Sequence, residues 1–515
     1  LRGLSDVTTS DTLEAKPFGG HKPAPATLDF LSARHGLLID GVWTDGAQGA
    51  RIEAIDPATG LVLTTVAAGD ASDIDRAVAA ARRAFEGAWG RTTGAERSRL
   101  LSKLAQLIAR DADLFFELEI LDNGMPAALS RMIVDGAVDL IDYYAGAARR
   151  IEGTTTAPPE HLVAFGGEAL TYTTREAVGV VGQIIPWNVP LSMACLKLAP
   201  ALAAGCAVVL KPAEETPLSA LHLGKLIQEA GFPNGVVNVV NGRGETAGAA
   251  LVAHPDVDKI AFTGSTEVGR LIVREAATTM KKVSLELGGK SPVVVFPDAD
   301  LDLAGPGVAM ATFFLQGQNC MAGTRIFVHE KIHDALVERI KAFAGAMKVG
   351  HGLDPTNQFG PLISAGHRAR VLQRIEEAKA SGAELVMGGA PLDGPGFFVP
   401  PTIFTRTTPG MKVWREEIFG PVMSIQTFGD EDLDALARRV NDSPFGLSGS
   451  VWTRDLSTAH RMAARIRSGH VSINCHGAVA SNIPFGGYKE SGWGREFGRE
   501  GLDLYLETKA VTARL

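Results

Sequence analysis

Only four cysteines occur in 515 residues, at positions 195, 206, 320 and 475. They are too few and too scattered for a disulfide framework, so a reducing compartment such as the cytoplasm is expected. No Lys/Arg-rich run is present, and the net charge of −8 is spread along the chain. That excludes the basic face of a nucleic-acid binder and gives no argument for anionic membranes. The histidines are scattered along the chain with no evident ligand set, so no metal is expected. The most apolar stretch, Val178–Leu210, is broken by Asn188, Pro190, Lys197, Pro200 and Gly205. A bilayer-spanning helix needs about 20 nearly continuous apolar residues, so this stretch reads as buried core. Leu1–Ala33 holds no apolar segment of the length a secretory leader requires. With 45% hydrophobic and 21% charged residues, the composition is that of a soluble globular protein. The length exceeds what one core accommodates, and two or three structural units are expected.

Residues 1–30 are rich in Pro, Gly and Thr, and read as a mobile N-terminal arm. Ser72-Asp73-Ile74-Asp75 opens an Ala-rich helix, with Ser72 as its expected N-cap, and a second helix is expected over about Ala95–Arg110. Between Val178 and Phe296, β-branched runs (Val178–Ile185, Ala207–Leu210, Val236–Val240, Lys259–Phe262, Val293–Phe296) alternate with helical-period segments such as Thr216–Ala230. That alternation predicts βαβ units and a parallel sheet, with ligands at the carboxyl ends of the strands. The loops after Ile185, Leu210 and Phe262 are therefore of most interest. A second alternating region runs from about Ser291 to Phe485, with helices near Ile332–Met347 and Ala365–Ala380. The tail, Thr508–Ala513, alternates like a strand without an obvious partner in its own domain, which suggests edge pairing.

Four segments carry candidate chemistry. Cys320 sits in Gln316-Gly317-Gln318-Asn319-Cys320-Met321-Ala322-Gly323, among small and amide residues where a backbone can approach a ligand. It is either a nucleophile, needing a base or positive field, or an inert thiol. Glu286, in Leu285-Glu286-Leu287-Gly288-Gly289-Lys290, is either a strand-end acid paired to Lys290 or a carboxylate whose pKa an apolar wall raises for general-base work. Asn188, in Ile185-Pro186-Trp187-Asn188-Val189-Pro190, either closes a turn or offers its amide to an oxyanion. Lys211-Pro212-Ala213-Glu214 and Phe262-Thr263-Gly264-Ser265-Thr266-Glu267-Val268-Gly269 each follow a strand. They are ordinary turns, or cofactor loops in which a helix N-terminus takes a phosphate and an acid takes ribose hydroxyls.

Taken together and in order, these segments resemble the aldehyde dehydrogenase superfamily from about residue 36 to the end. Glu416–Val422 (Glu-Glu-Ile-Phe-Gly-Pro-Val) and Pro484–Glu496 (Pro-Phe-Gly-Gly-Tyr-Lys-Glu-Ser-Gly-Trp-Gly-Arg-Glu) complete the match. The resemblance implies an α/β protein: a Rossmann-like NAD-binding domain (31–150 and 178–289), an α/β catalytic domain (290–489) and a small β oligomerisation arm (151–177 and 490–515). It implies that Cys320 attacks an aldehyde, that Asn188 and the Cys320 N–H hold the oxyanion, and that Glu286 activates the water that hydrolyses the thioester. Ile185, Trp187, Lys211, Glu214, Gly264, Ser265, Glu417 and Phe419 are the implied NAD contacts. Glu214 favours NAD over NADP, because a carboxylate repels a 2′-phosphate. A homodimer or homotetramer is implied.

By the same resemblance, Val189, Met193, Leu196, Phe314, Asn319, Met321 and Phe485 shape the aldehyde pocket. Many family members carry aromatics where this chain has Val189 and Leu196, so a wide pocket for a bulky apolar or aromatic aldehyde is expected. Arg34–Gly41 and the segment after Asn474 are similar to bacterial phenylacetaldehyde dehydrogenases. Three alternatives are a coenzyme A-acylating semialdehyde dehydrogenase, a cofactor-independent thiol hydrolase using Cys320, and a binding protein that has lost turnover. Glu286 argues against the first, the cofactor loops against the second, and the presence of both Cys320 and Glu286 against the third.

Overall fold

Strands buried on both faces read as unbroken runs of Val, Ile and Ala rather than as alternation, and two sheets of this chain are built that way. In the computed structural model, which describes residues 18, 20–157 and 168–515, the first sheet has eight strands. Its centre is parallel, in the order Val237–Val239, Ala207–Lys211, Val180–Ile184, Lys259–Thr263, Lys282–Glu286. Leu37–Ile39 with Val42–Thr44 closes one edge and Gly492–Trp493 the other, all antiparallel. The chain lays down Val180–Ile184 first, winds outward to Val237–Val239, then returns to place Lys259–Thr263 on the opposite side. Connections therefore diverge above Ile184 and Phe262, which opens a crevice at the carboxyl ends of these strands.

The second sheet has seven strands in the order Glu384–Met387, Thr402–Thr405, Val422–Phe428, Arg325–His329, Pro292–Val295, Ser448–Trp452, His470–Ile473. All neighbours are parallel except the first pair. Leu287–Ser291 joins the end of Lys282–Glu286 to the start of Pro292–Val295. This short link sets the carboxyl edge of the first sheet against the amino edge of the second. Cys320 and Phe419 each lie a few residues before a strand of the second sheet, Arg325–His329 and Val422–Phe428, so both loops face that junction.

The helices mostly fall where the periodicity puts them. Ala365–Ala380 is observed as expected, and Gly94–Arg110, Leu218–Ala230 and His333–Ala346 differ from expectation only at their ends. The cap of the Ala-rich helix is a correction. It runs Ala71–Glu86, and Asp70, not Ser72, is its N-cap, accepting from Ser72 N and Asp73 N in a capping box with Asp73. A carboxylate at that position also favours the positive end of the helix dipole.

Most of the expected arm, residues 1–17 and 19, lies outside the described residues. Its end is not irregular: Pro25–Ser32 is a helix with Pro at its first position, and it buries Phe30 and Leu31. Proline at N1 starts a helix rather than breaking one, and Phe30 packs against His35 and His222. The C-terminal tail also finds a partner in its own chain. Leu506–Arg514 pairs antiparallel with Ala169–Ala177 along all nine residues, and Thr155–Thr156 adds a third strand. Residues 158–167 of the expected arm lie outside the described residues. Gly492–Trp493 belongs to the first sheet, so the C-terminal share of this small sheet narrows to Leu506–Arg514.

Candidate active site

The loop after Val180–Ile184 is stiffened from both sides. Pro190 opens the helix Pro190–Ala204, and the carboxylate of buried Glu119 accepts from Leu191 N at 3.2 Å in place of a side-chain cap. Asn123 Nδ2 donates to the carbonyls of Trp187 and Asn188, at 2.8 and 3.2 Å. With its backbone fixed, Asn188 is itself buried, and its Nδ2 donates to Gln318 O at 3.0 Å. That bond ties the loop to the segment carrying Cys320 and leaves a second amide hydrogen free.

The Cys320 segment is bent by its backbone. After the helix Leu301–Phe313, Leu315 and Gln316 take φ of 52° and 55° and Gly317 takes 70°. Two non-glycine residues in the left-handed region are held against their preference, and the turn they make carries Cys320 out of the sheet's edge. Gly289 is what admits it, since a Cβ there would come within 2.2 Å of Cys320 O. Enclosure raises the thiol pKa, Glu417 and Glu286 raise it further, and the N–H groups of Cys320 and Met321 work the other way. The thiol points at Asn319 Oδ1, 3.9 Å away.

Glu286 ends its strand 5% exposed, with no hydrogen-bond partner on either carboxylate oxygen. Its pKa stands well above the ordinary carboxylate value because of burial first and nearby Glu496 second, against the pull of Lys197 and Arg495. Pairing with Lys290 is not found: the Lys290 ammonium is buried and also lacks a partner. Gly486 lies beside the carboxylate, where a Cβ would sit 2.8 Å from Glu286 Oε1.

On the crevice side, Glu417 accepts from Gly289 N at 2.8 Å, and enclosure lifts its pKa to about 7. Phe419 has φ 56°. Its carbonyl is held by His367 Nε2 at 2.7 Å, and its ring meets Trp187 edge-on at 5.2 Å. Ile185 is buried behind them, and its N–H donates to Lys211 O. Lys211 donates to Glu214 Oε2 at 3.1 Å, and Gly244 N donates to Glu214 Oε1 at 3.2 Å. Burial alone would raise the Glu214 pKa, but these partners hold it below the usual value, so it is ionised. Gly264 takes its place by donating to Glu286 O. Ser265 N-caps the eleven-residue helix Thr266–Ala276, whose exposed end suits a phosphate. Thr263 Oγ1, one residue before Gly264, is buried without a partner. The crevice thus fits a phosphate-bearing ligand with vicinal hydroxyls.

A cavity of about 490 Å³ lies beside the turn that carries Cys320, reached by that residue's two neighbours Asn319 and Met321 and lined also by Asp302, Leu303, Pro306, Met310, Phe314, Trp452 and His476. Of the seven expected pocket residues, it gathers Phe314, Asn319 and Met321. Val189, Met193, Leu196 and Phe485 do not line it. Leu196 is 2% exposed inside the main core, because the helix Pro190–Ala204 turns that face inward. Met193 is half-buried against the same core, and Val189 packs with Phe314 on Met125, Leu129 and Leu315. Phe485 packs on Phe497 and His470.

A profile of the Aldehyde dehydrogenase family matches residues 43–511. The chain belongs to the aldehyde dehydrogenase family. It is 46% identical over 484 residues to aldehyde dehydrogenase 1A1 of Gallus gallus, covering 93% of each chain. It is 44% identical over 483 residues to the mitochondrial aldehyde dehydrogenase of Homo sapiens, covering 93% of this chain and 92% of that one. The solved NAD+ complex of aldehyde dehydrogenase from Bacillus cereus matches it with a TM-score of 0.93 at 44% identity, over 96% of this chain and 99% of the other.

In this aldehyde dehydrogenase, several site-shaping residues escaped the sequence reading. Asn123 holds the Asn188 loop, His367 holds Phe419, and Lys197 forms an ion pair with Glu496 beside Glu286. Lys197 carried a usable signal, since a lone cation in an apolar helix is buried only when it has a partner. His367 carried none, as it lies on an ordinary surface-period helix far from Phe419 in the chain. Among the described residues no cluster of His, Cys, Asp and Glu could hold a metal, and no helix is long and apolar enough to cross a membrane.

Proposed function

We propose that this enzyme oxidises a bulky apolar aldehyde to its carboxylic acid with NAD, through a thioester on Cys320. The observation that carries the reading is the convergence of Cys320, the Asn188 amide and the unpartnered Glu286 carboxylate at one junction between a dinucleotide-type crevice and an apolar cavity. Lys211 and Glu214 would hold the adenosine ribose, Ser265 the pyrophosphate, and Glu417 with Phe419 the nicotinamide ribose, with Trp187 and Gly264 lining the cleft. Bound NAD supplies the acceptor for the two electrons leaving the substrate.

The remaining work falls to the chain. Cys320 gives its proton to solvent and adds through sulfur to the carbonyl carbon, which puts negative charge on oxygen. The free amide hydrogen of Asn188 and the Cys320 N–H stabilise that charge. After oxidation the carbonyl carbon is bonded to sulfur, and Glu286 takes a proton from the water that attacks it. The C–S bond breaks, the thiol is regenerated and the acid leaves. An apolar wall keeps Glu286 basic enough for this role, which supports hydrolysis over transfer to coenzyme A. Ionised Glu214 supports NAD over NADP.

The 490 Å³ cavity supports a large substrate, since ligand pockets run from about 300 to 1,000 Å³. Its lip includes exposed Leu303 and Met310 and the carboxylate of Asp302, with no Lys or Arg, which supports an apolar or aromatic aldehyde that carries no carboxylate. Oligomerisation, as a homodimer or homotetramer, is supported by the small sheet, in which the nine-residue strand Leu506–Arg514 stands at the edge among the described residues. The reducing environment that four unpaired cysteines prefer supports a cytoplasmic enzyme. The test is NADH formation from a panel of aldehydes with NAD and with NADP. Phenylacetaldehyde is expected to give higher kcat/KM than acetaldehyde, and Cys320→Ala to give no NADH while still binding NAD. The reverse aldehyde ranking defeats the substrate assignment, and activity in Cys320→Ala defeats the mechanism.

A further inference from the structure

The turn that carries Cys320 is held at both ends by side chains from elsewhere in the chain. On one side Asn188 Nδ2 donates to Gln318 O at 3.0 Å. On the other, His476 Nε2 lies 2.8 Å from Met321 O, while its Nδ1 lies 2.9 Å from Ser450 Oγ. Trp452 Nε1 in turn donates to Ser450 Oγ at 3.2 Å. For a neutral imidazole the polarity of this relay has one solution. An indole N–H can only donate and a carbonyl can only accept. Ser450 therefore receives the indole hydrogen and gives its own to Nδ1, and His476 is the neutral tautomer carrying its hydrogen on Nε2, aimed at Met321 O. Burial pushes the His476 pKa down to about 4, in keeping with a neutral ring.

The ring is also wedged under the turn. A Cβ at Gly323 would lie 3.1 Å from His476 Cε1, and Gly323 N is fixed to Ala311 O. The approach through Leu315, Gln316 and Gly317 is left-handed, so it does not hold the turn in place by its own preference. Asn319 braces only the inside, accepting from Met321 N through Oδ1 and from Ala322 N through its carbonyl.

We propose that His476 is a positioning residue of the oxidation, holding the Met321 carbonyl so that the Cys320 N–H and sulfur keep a fixed attitude to the carbonyl they act on. It touches no reacting atom. Its action is through the Met321–Ala322 peptide, the second after the nucleophile, and misplacing the turn that peptide anchors weakens the Cys320 N–H, a donor that works only when charge develops on the substrate oxygen. Because His476 and Trp452 also line the apolar cavity, the relay ties the cavity wall to the turn. This inference rests on the reading of Cys320 as nucleophile.

The test compares His476→Phe, which keeps a ring but cannot donate, with His476→Gln, whose amide can still donate to Met321 O and accept from Ser450. His476→Phe should lower kcat at least tenfold with the KM for NAD unchanged and the rate of Cys320 alkylation by iodoacetamide within threefold, because alkylation needs no oxyanion donor. His476→Gln should recover kcat to within threefold of the parent. Ser450→Ala, which leaves the ring in place but frees its tautomer, should fall between them and covers the case in which His476→Phe does not fold. The proposal is overturned if His476→Phe keeps kcat within threefold, if His476→Gln falls as far as His476→Phe, or if alkylation drops in step with turnover. Cys320→Ser run in parallel separates the two levels. NADH formation surviving in Cys320→Ser removes the nucleophile assignment, whereas a dead Cys320→Ser beside a fully active His476→Phe removes this inference alone.

Discussion

Replacing Glu286 by Gln should separate chemistry from stability more cleanly than any other change at this site. Both carboxylate oxygens are buried and without hydrogen-bond partners, so the substitution breaks no bond and keeps the volume. At pH 5, where the raised pKa keeps the native carboxyl protonated, stability should change by no more than about 1 kcal/mol. The sign then follows from proton uptake. The pKa in the folded chain lies above its ordinary 4.5, so the folded state holds a proton the unfolded state has lost. The native enzyme therefore loses stability as pH rises from about 4.5 through the folded-state value, and Glu286→Gln does not. Urea unfolding from pH 5 to 8 should show the variant gaining on the native enzyme.

Catalysis goes the other way. Removing a general base costs about 10²–10⁴-fold, or roughly 3–5 kcal/mol, and here the loss falls on thioester hydrolysis alone. Stopped-flow absorbance should show a burst of about one NADH per active site followed by a steady state slowed at least a hundredfold. In the native enzyme kcat should climb with pH, because the base must first lose its proton. A steady-state rate within threefold of native, or loss of the burst together with turnover, would refute the assignment of Glu286 to the hydrolytic half.

Asn188→Ala removes an oxyanion donor and should lower kcat by about 10²–10³. It also leaves Gln318 O without its bond, at a cost of about 1–3 kcal/mol measurable as a lower urea midpoint. Glu214→Gln removes the charge facing a 2′-phosphate and should raise kcat/KM with NADP at least tenfold while that with NAD falls less, read from paired NADH and NADPH assays. Lys290→Met concerns a buried ammonium whose pKa burial, with Arg325 beside it, lowers to about 7. Between that value and about 10.5 the unfolded chain binds the proton and the folded chain does not, so native stability rises with pH across the window. The variant should be about 1–4 kcal/mol more stable near neutrality, with the difference shrinking toward pH 9, and a pH-independent difference would count against it.

How legible the fold was depends on how local its causes are. The buried runs at 180–184, 207–211 and 259–263 announced a parallel sheet because each strand carries its own hydrophobic pattern. The sequence also placed Cys320, Glu286 and Asn188 in glycine-, proline- and amide-rich loops, which is where a backbone must bend to bring distant atoms together. The contacts between those loops were not legible. That His367 would hold Phe419, or Asn123 the Asn188 loop, depends on which loops the two sheets bring face to face. Leu196 shares a helix with Met193 and looks equivalent in one dimension, yet the helix turns Leu196 into the core. Asp70 and Ser72 are comparable N-caps by residue type, and the backbone dihedrals decide that Asp70 stands outside the first turn.

The seam between the sheets sets how this molecule should fail. Glu286 closes the last inner strand of one sheet, whereas Cys320 precedes a strand of the next, and the chain joins the two sheets through Leu287–Ser291 and through its return to Gly492–Trp493. Neither half holds a working set of groups alone. Mild denaturant that loosens the seam while leaving each sheet intact should therefore silence turnover before ellipticity changes, so that activity becomes a gauge of docking rather than of folding.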